Sequence, residues 1–190
     1  MEAHSFAETW AKTRDEVAGI RSGRLLAALR ESAPEMVSGV CDRFNAEAEL
    51  FAEAVAGLPR GMNDADFTIF QLKGPELAAI QQSAEVAKSL AKIVKVYDRV
   101  VGLVPGWGAQ NGTESKAARI GEFADRGELN DCVEIMQVYS TRGWDLPQAL
   151  RPLNPFIAPI MVGARLRLVS PLEAEQHLAS LPAPALQAAP

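Results

Sequence analysis

Lys88, Lys92, Lys95 and Arg99 recur at steps of four, three and four residues. On a helix turning about 100° per residue that spacing gathers the four cations within roughly 60° of one another. Four cations on one helical face are what a helix needs to follow a phosphate backbone or to dock on an acidic partner. Glu85 and Asp98 fall among them and dilute the field, and no aromatic residue is interleaved to stack on bases. The same spacing also describes the solvated face of an amphipathic helix. The stripe is the candidate contact for an anionic partner.

A second candidate chemistry is apolar. Trp107 and Trp144 each stand beside glycine in loops on either side of one helical segment, and large aromatics in loops are enriched at protein interfaces. The loop around Trp107 carries Gly106, Gly108 and Gly112 ahead of a helix with Lys116 one turn in, an arrangement that could turn backbone N–H groups toward a phosphate. It matches neither G-x-x-x-x-G-K-[ST] nor G-x-G-x-x-G, and it follows a helix rather than a strand, so it reads as a connection.

Catalytic and metal chemistry find less. His4 and His177 lie near opposite ends of the chain, and neither belongs to a Glu-x-x-His or His-x-x-x-His spacing. Asp42, Glu49 and Glu53 line one flank of a helix, but without histidines they describe a solvated face. Cys41 and Cys132 fall on apolar helix faces, where a free cysteine packs as a small hydrophobe; pairing either with His177 as a nucleophile would require the fold to assemble them. No metal, cofactor or catalytic grouping is expected.

The elements that must position these residues are helical. Ser5 and Glu8 have capping-box spacing, and Phe6, Trp10 and Val17 share a face before Gly19 and Gly23 weaken the segment. Ser32-Ala33-Pro34-Glu35 repeats the capping logic with proline at the first helical position, predicting a new helix over 34–57 whose apolar residues run from Val37 through Phe44 and Phe51 to Leu58. Residues 66–73 fit a short helix about as well as a strand. Gly74-Pro75 opens the longest predicted element, 75–104, with Val86, Leu90, Ile93, Tyr97, Val100 and Val104 at alternating four- and three-residue steps.

Thr113 opens a helix predicted to reach Arg126, closed by Gly127, and Leu129, Cys132, Met136 and Tyr139 mark a second one ending at Gly143. Over about thirty residues this hairpin is similar to one unit of a tetratricopeptide-type repeat, although it lacks the tryptophan and proline signature and has no second copy. A lone unit cannot stack, and an ordinary helical hairpin accounts for the same residues. Pro152, Pro155 and Pro159 make the next stretch irregular, residues 164–169 alternate arginine with leucine like a strand, and Ser170 to Glu173 cap a last helix.

Composition bounds the whole. With 190 residues, 48% of them apolar and 23% charged, the chain can bury a real core and is no disordered polyelectrolyte. A net charge of −5 gives no global attraction to nucleic acid, so any such binding must be local. No stretch has the length and apolarity of a membrane span or signal peptide, and two cysteines make no disulfide framework; a cytoplasmic protein is expected. The expected fold is an all-α helical bundle of about six to eight helices, one domain over 1–181 with a flexible proline and alanine tail over 182–190. The expected function is that of a non-enzymatic interaction protein, an adaptor, chaperone or structural subunit of a larger assembly such as a secretion apparatus or virus-like particle, with a protein partner or self-assembly. The alternative is a nucleic-acid-associated protein using the stripe on the 75–104 helix.

Overall fold

The computed structural model describes residues 2–58, 73–107, 112–141 and 153–183, without the side chains of 2–11, 15 and 139–141. The described chain is predominantly α-helical: α1 (Glu2–Ala56), α2 (Gly74–Val101), α3 (Thr113–Ile120), α4 (Arg126–Thr141), α5 (Ile157–Met161) and α6 (Pro171–Ser180), with two short strands, β1 (Gly121–Glu122) and β2 (Arg165–Leu166). Trp144, residues 66–72 and the end of the tail from 184 lie outside the described residues, as does Gly108.

The first 56 residues depart from the sequence expectation. A break was expected at Ser32–Pro34, yet α1 runs unbroken from Glu2 to Ala56 with Pro34 inside it. Ser32 does not cap a new first turn there: its hydroxyl donates back to the carbonyl oxygen of Ala28 at 3.0 Å within the continuous helix. The helix also starts before Ser5 and passes through Gly19 and Gly23, around which a Cβ would meet nothing within 4 Å. At 1.5 Å per residue α1 is about 80 Å long, against a radius of gyration of about 16 Å for a compact chain of this size.

Only the second half of α1 enters the core. Ala33, Val37, Cys41, Phe44, Ala48 and Phe51 form its buried stripe, and α2 answers with Ile80, Ser83, Ala87, Leu90, Ile93, Tyr97 and Val100. The two helices lie antiparallel: a Cβ on Gly57 would come 3.3 Å from Ala79 Cβ at one end, and Arg30 Nε donates to the Leu103 carbonyl oxygen at 2.9 Å at the other. The predicted 34–57 helix, present as the second half of α1, and the predicted 75–104 helix, ending at Val101, thus pack against each other. Small residues (Ala48, Ser83, Ala87) let the backbones approach, and the Ser83 hydroxyl is satisfied inside its own helix by the Ala79 carbonyl oxygen at 2.8 Å. Gly74-Pro75 opens α2 as the sequence suggests, with the Lys73 N–H donating to the Glu76 carboxylate at 2.7 Å.

The C-terminal residues fold back over this pair. Helix α3 stops at Ile120, not at Arg126, because the chain there becomes a strand: Gly121 and Glu122 pair antiparallel with Leu166 and Arg165. The Arg167 and Val169 N–H groups extend the clasp to the Ile120 and Arg119 carbonyl oxygens at 2.9 and 3.0 Å. The strand expected over 164–169 is thus present, shortened to two residues. Gly121 is required by close approach, since a Cβ there would lie 2.4 Å from the ring of Phe123. With a strand between them, α3 and α4 are not the tight hairpin of a tetratricopeptide-type unit. Gly127 sits in the first turn of α4, which Asp125 caps by accepting from the Gly127 and Glu128 N–H groups at 2.7 and 3.0 Å.

Two devices lock the C-terminal segment to the helix pair. The Asn45 side chain of α1 donates to the Leu168 carbonyl oxygen at 3.3 Å and accepts from the Leu168 N–H at 2.8 Å, taking the place of a neighbouring strand. Phe156 enters between the α1 rings, with centroids 5.9 Å from Phe44 and 6.3 Å from Phe51 in tilted and edge-on geometry. Helix α6 begins at the capping box expected from the sequence, where the Glu173 N–H donates to Ser170 Oγ at 3.3 Å and the Ser170 N–H to the Glu173 carboxylate at 2.9 Å. Those bonds hold the Glu173 carboxyl below its usual value.

Candidate functional site

Three regions present chemistry: the first half of α1, the outer face of α2, and a cavity beside the clasp. Along α1, residues 12–14 and 16–25 are exposed, and Leu26 and Leu29 are the first to be half-buried. Val17 is 43% exposed, Ile20 58% and Leu25 63%, among the most exposed large apolar side chains described. Val17, Ile20 and Leu25 therefore stand in solvent, with nothing from the described fold packed against them.

The basic stripe is where the sequence placed it. Lys88, Lys92, Lys95 and Arg99 are all exposed on α2, facing away from the buried residues. Lys88 Nζ lies 2.6 Å from Glu85 Oε1, so one of its four charges is partly neutralised on its own helix. Trp107 is half-buried against the core at the edge of a cavity of about 360 Å³ that also touches Cys41, Asn45 and Glu173. Of the loop glycines, Gly112 stands at the N-cap of α3 and Gly106, with its φ of 91°, serves the turn after α2, while Gly108 lies outside the described residues.

The catalytic pairings considered from the sequence are not assembled. His177 Nε2 accepts the Phe123 N–H at 3.2 Å, which occupies that nitrogen in the fold. Cys41 and Cys132 are both buried free thiols. Burial pushes each thiol up to about 12, helped at Cys41 by the carboxylates of Glu173 and Asp42. At pH 8 both therefore stay protonated in the native protein. We expect neither to react with Ellman's reagent at pH 8 on the timescale of a free cysteine, and two to react once guanidinium unfolds the chain; rapid native labelling of either would contradict this placement. Among the described residues no group of three His, Cys, Asp or Glu side chains is placed to hold a metal ion, and Glu49 of the acidic flank pairs with Arg165 at 3.1 Å.

The cavity was not legible in the sequence. It measures about 560 Å³ and lies between α2, α3, α4 and the segment at Pro155. Its lining is largely apolar, with Asp98, Lys116 and Arg119 as charged members. Arg119 is only 8% exposed and holds bonds within the fold. Tyr97, also on the wall, is buried and donates its hydroxyl proton to the Val169 carbonyl oxygen at 2.8 Å; burial pushes that hydroxyl well above its ordinary value. Of the lining residues the sequence named Tyr97, Asp98, Lys116, Met136 and Pro155, each in another role. The signal that could have pointed here was the i, i+3 spacing of Lys116 and Arg119 on one face of a short helix.

No helix among the described residues is long and apolar enough to cross a membrane. Comparison with family models, with curated proteins and with solved structures finds no match to this chain.

Proposed function

We propose that this protein is a non-enzymatic assembly protein, a structural subunit or adaptor, whose N-terminal half of α1 is the arm by which one copy binds another. What carries the reading is that arm: α1 runs about 36 Å ahead of Leu26, its first half-buried residue, and bears Val17, Ile20 and Leu25 in solvent. An amphipathic helix without an apolar partner is ordinarily unstable in water, and packing supplies most of a helix's stability. A second copy is favoured as the partner by charge. Of the charged residues in 2–16, apart from histidine, four are acidic and two basic, whereas 17–30 carries Arg21, Arg24 and Arg30 and no acid. Two arms laid antiparallel set the acidic half of each along the basic half of the other, which fixes their orientation as well as drawing them together.

The test is size-exclusion chromatography with light scattering, read at 260 and 280 nm. The wild type is expected to elute as a multiple of 20.4 kDa, and the double variant V17E/I20E as a 20.4 kDa monomer with an unchanged melting temperature, since exposed positions outside the core change stability by about 0.5 kcal/mol or less. A wild type that is monomeric at micromolar concentration would overturn pairing between copies. Nucleic acid co-eluting in a manner abolished by charge reversal of Lys92 and Lys95 would replace the reading with the anionic-partner role of the α2 stripe.

A further inference from the structure

We infer that the basic face of α2 docks on an acidic face of α1 in a second copy of this chain, a head-to-tail contact that joins arm-paired copies into a longer assembly. Glu31, Glu35, Asp42, Glu49 and Glu53 recur at steps of four, seven, seven and four residues, and all are exposed. At about 100° per residue they fall within roughly 40° of one another. Arg43, the one basic residue in 31–53, is turned about 100° from Asp42. Ser38, Gly39 and Ala46 lie among the acids, so no bulky side chain of α1 keeps a second helix away. Arg165 takes up Glu49 at 3.1 Å, and Arg167, which shares the smaller cavity with Asp42, lies 3.9 Å from Glu122. The acids offered to a partner are then Glu31, Glu35, Asp42 and Glu53.

On α2 the Glu85 carboxylate takes up Lys88, which leaves Lys92, Lys95 and Arg99. Three positive charges thus face four negative ones, and neither count includes a group the fold has already paired. The spacings agree as well. Glu31, Glu35 and Asp42 rise by four and seven residues like Lys88, Lys92 and Arg99, and Asp42, Glu49 and Glu53 follow the same steps in reverse. The chain's net charge of −5 opposes a polyanion, so its own carboxylates are the favoured partner. One copy cannot make the contact by itself. Each charged face lies roughly 150–170° around its helix from the buried stripe, and the two buried stripes meet in the core, so the charged faces look outward on different sides. A contact between two different patches repeats from copy to copy into a ring or a filament. Exposed ion pairs are individually weak and screened by salt, so the contact rests on the arm pairing proposed above, which presents each face twice per unit.

Light scattering of the full chain at about 50 μM tests the contact in about 10 mM and about 1 M sodium chloride, between which the screening length falls from about 30 Å to about 3 Å. The wild-type mass is expected to be at least about twofold higher at low salt. The variant K92E/K95E/R99E carries two acidic faces and E31K/E35K/D42K two basic ones. Each alone should lose the low-salt increase, and an equimolar mixture of the two should regain it, an outcome that misfolding of either variant would not produce. A wild-type mass independent of salt, growth retained by either variant, or a mixture no heavier than its components would each overturn the contact. So would a low-salt increase that nuclease removes, which would give the α2 face to nucleic acid instead. Failure of the arm is read separately, as a 20.4 kDa wild type at about 1 M salt, where apolar pairing persists and the charged contact is screened.

Discussion

Phe156→Ala is expected to lower the free energy of unfolding by about 3–5 kcal/mol, the range for truncating a buried aromatic ring. Phe156 is buried and is the residue through which the C-terminal segment reaches both Phe44 and Phe51 of α1. Its removal takes away the transfer energy of the ring together with one tilted and one edge-on ring contact, and it leaves a void that α1 and α2, held by their own stripe, cannot close. Since Phe156 also lines the larger cavity, that void opens into existing space rather than collapsing. Phe156→Leu keeps most of the volume and should cost less than about 1.5 kcal/mol. Urea melts of the two variants separate these values, and an alanine variant as stable as the leucine one would show that the ring cluster does not hold the C-terminal segment.

Asn45→Ala should cost about 2–4 kcal/mol, although the side chain is only half-buried and small. The loss does not lie in asparagine's own packing. It lies in Leu168, which is buried to 1% exposure and has its N–H and C=O both satisfied by the one amide. Each buried group left without a partner costs about 1–3 kcal/mol, so two at once exceed what a surface hydrogen bond is worth. Water reaching the pair from the adjoining cavity of about 360 Å³ reduces the loss and sets the lower end of the range. Denaturant melts give the magnitude, and amide exchange at Leu168 gives the location. A change under about 0.5 kcal/mol with Leu168 still protected would mean that the amide is not what satisfies that backbone.

The parts of the fold legible in the sequence are those fixed by neighbours along the chain. The Ser170 to Glu173 box, the opening of α2 at Gly74-Pro75 and the buried stripe of Phe44 and Phe51 each depend on residues three or four apart, and each is found where the spacing puts it. The misreadings have distant or ambiguous causes. Helix α3 ends at Ile120 because Leu166 and Arg167 take up backbone groups there from more than forty residues away, which helical periodicity does not register. Ser32 is compatible in sequence with a forward cap or with a backward bond to Ala28, and in the fold it makes the latter, beside the buried Ala33. At the sites the division is the same: the α2 stripe is one helix read along its length, whereas the cavity draws on five separated segments.

The clasp between residues 45 and 168 also has a consequence in time. The α1 and α2 stripes adjoin across a single connection, so their pairing needs only chain already synthesised by Val101, while Phe156 follows Phe51 by about 100 residues. At roughly 5–20 residues per second, a growing chain leaves Phe44 and Phe51 without their covering ring for about 5–20 s. For the last ~3–11 s of that interval, from Val101 to Phe156, the paired helices show an apolar groove that only the later chain covers.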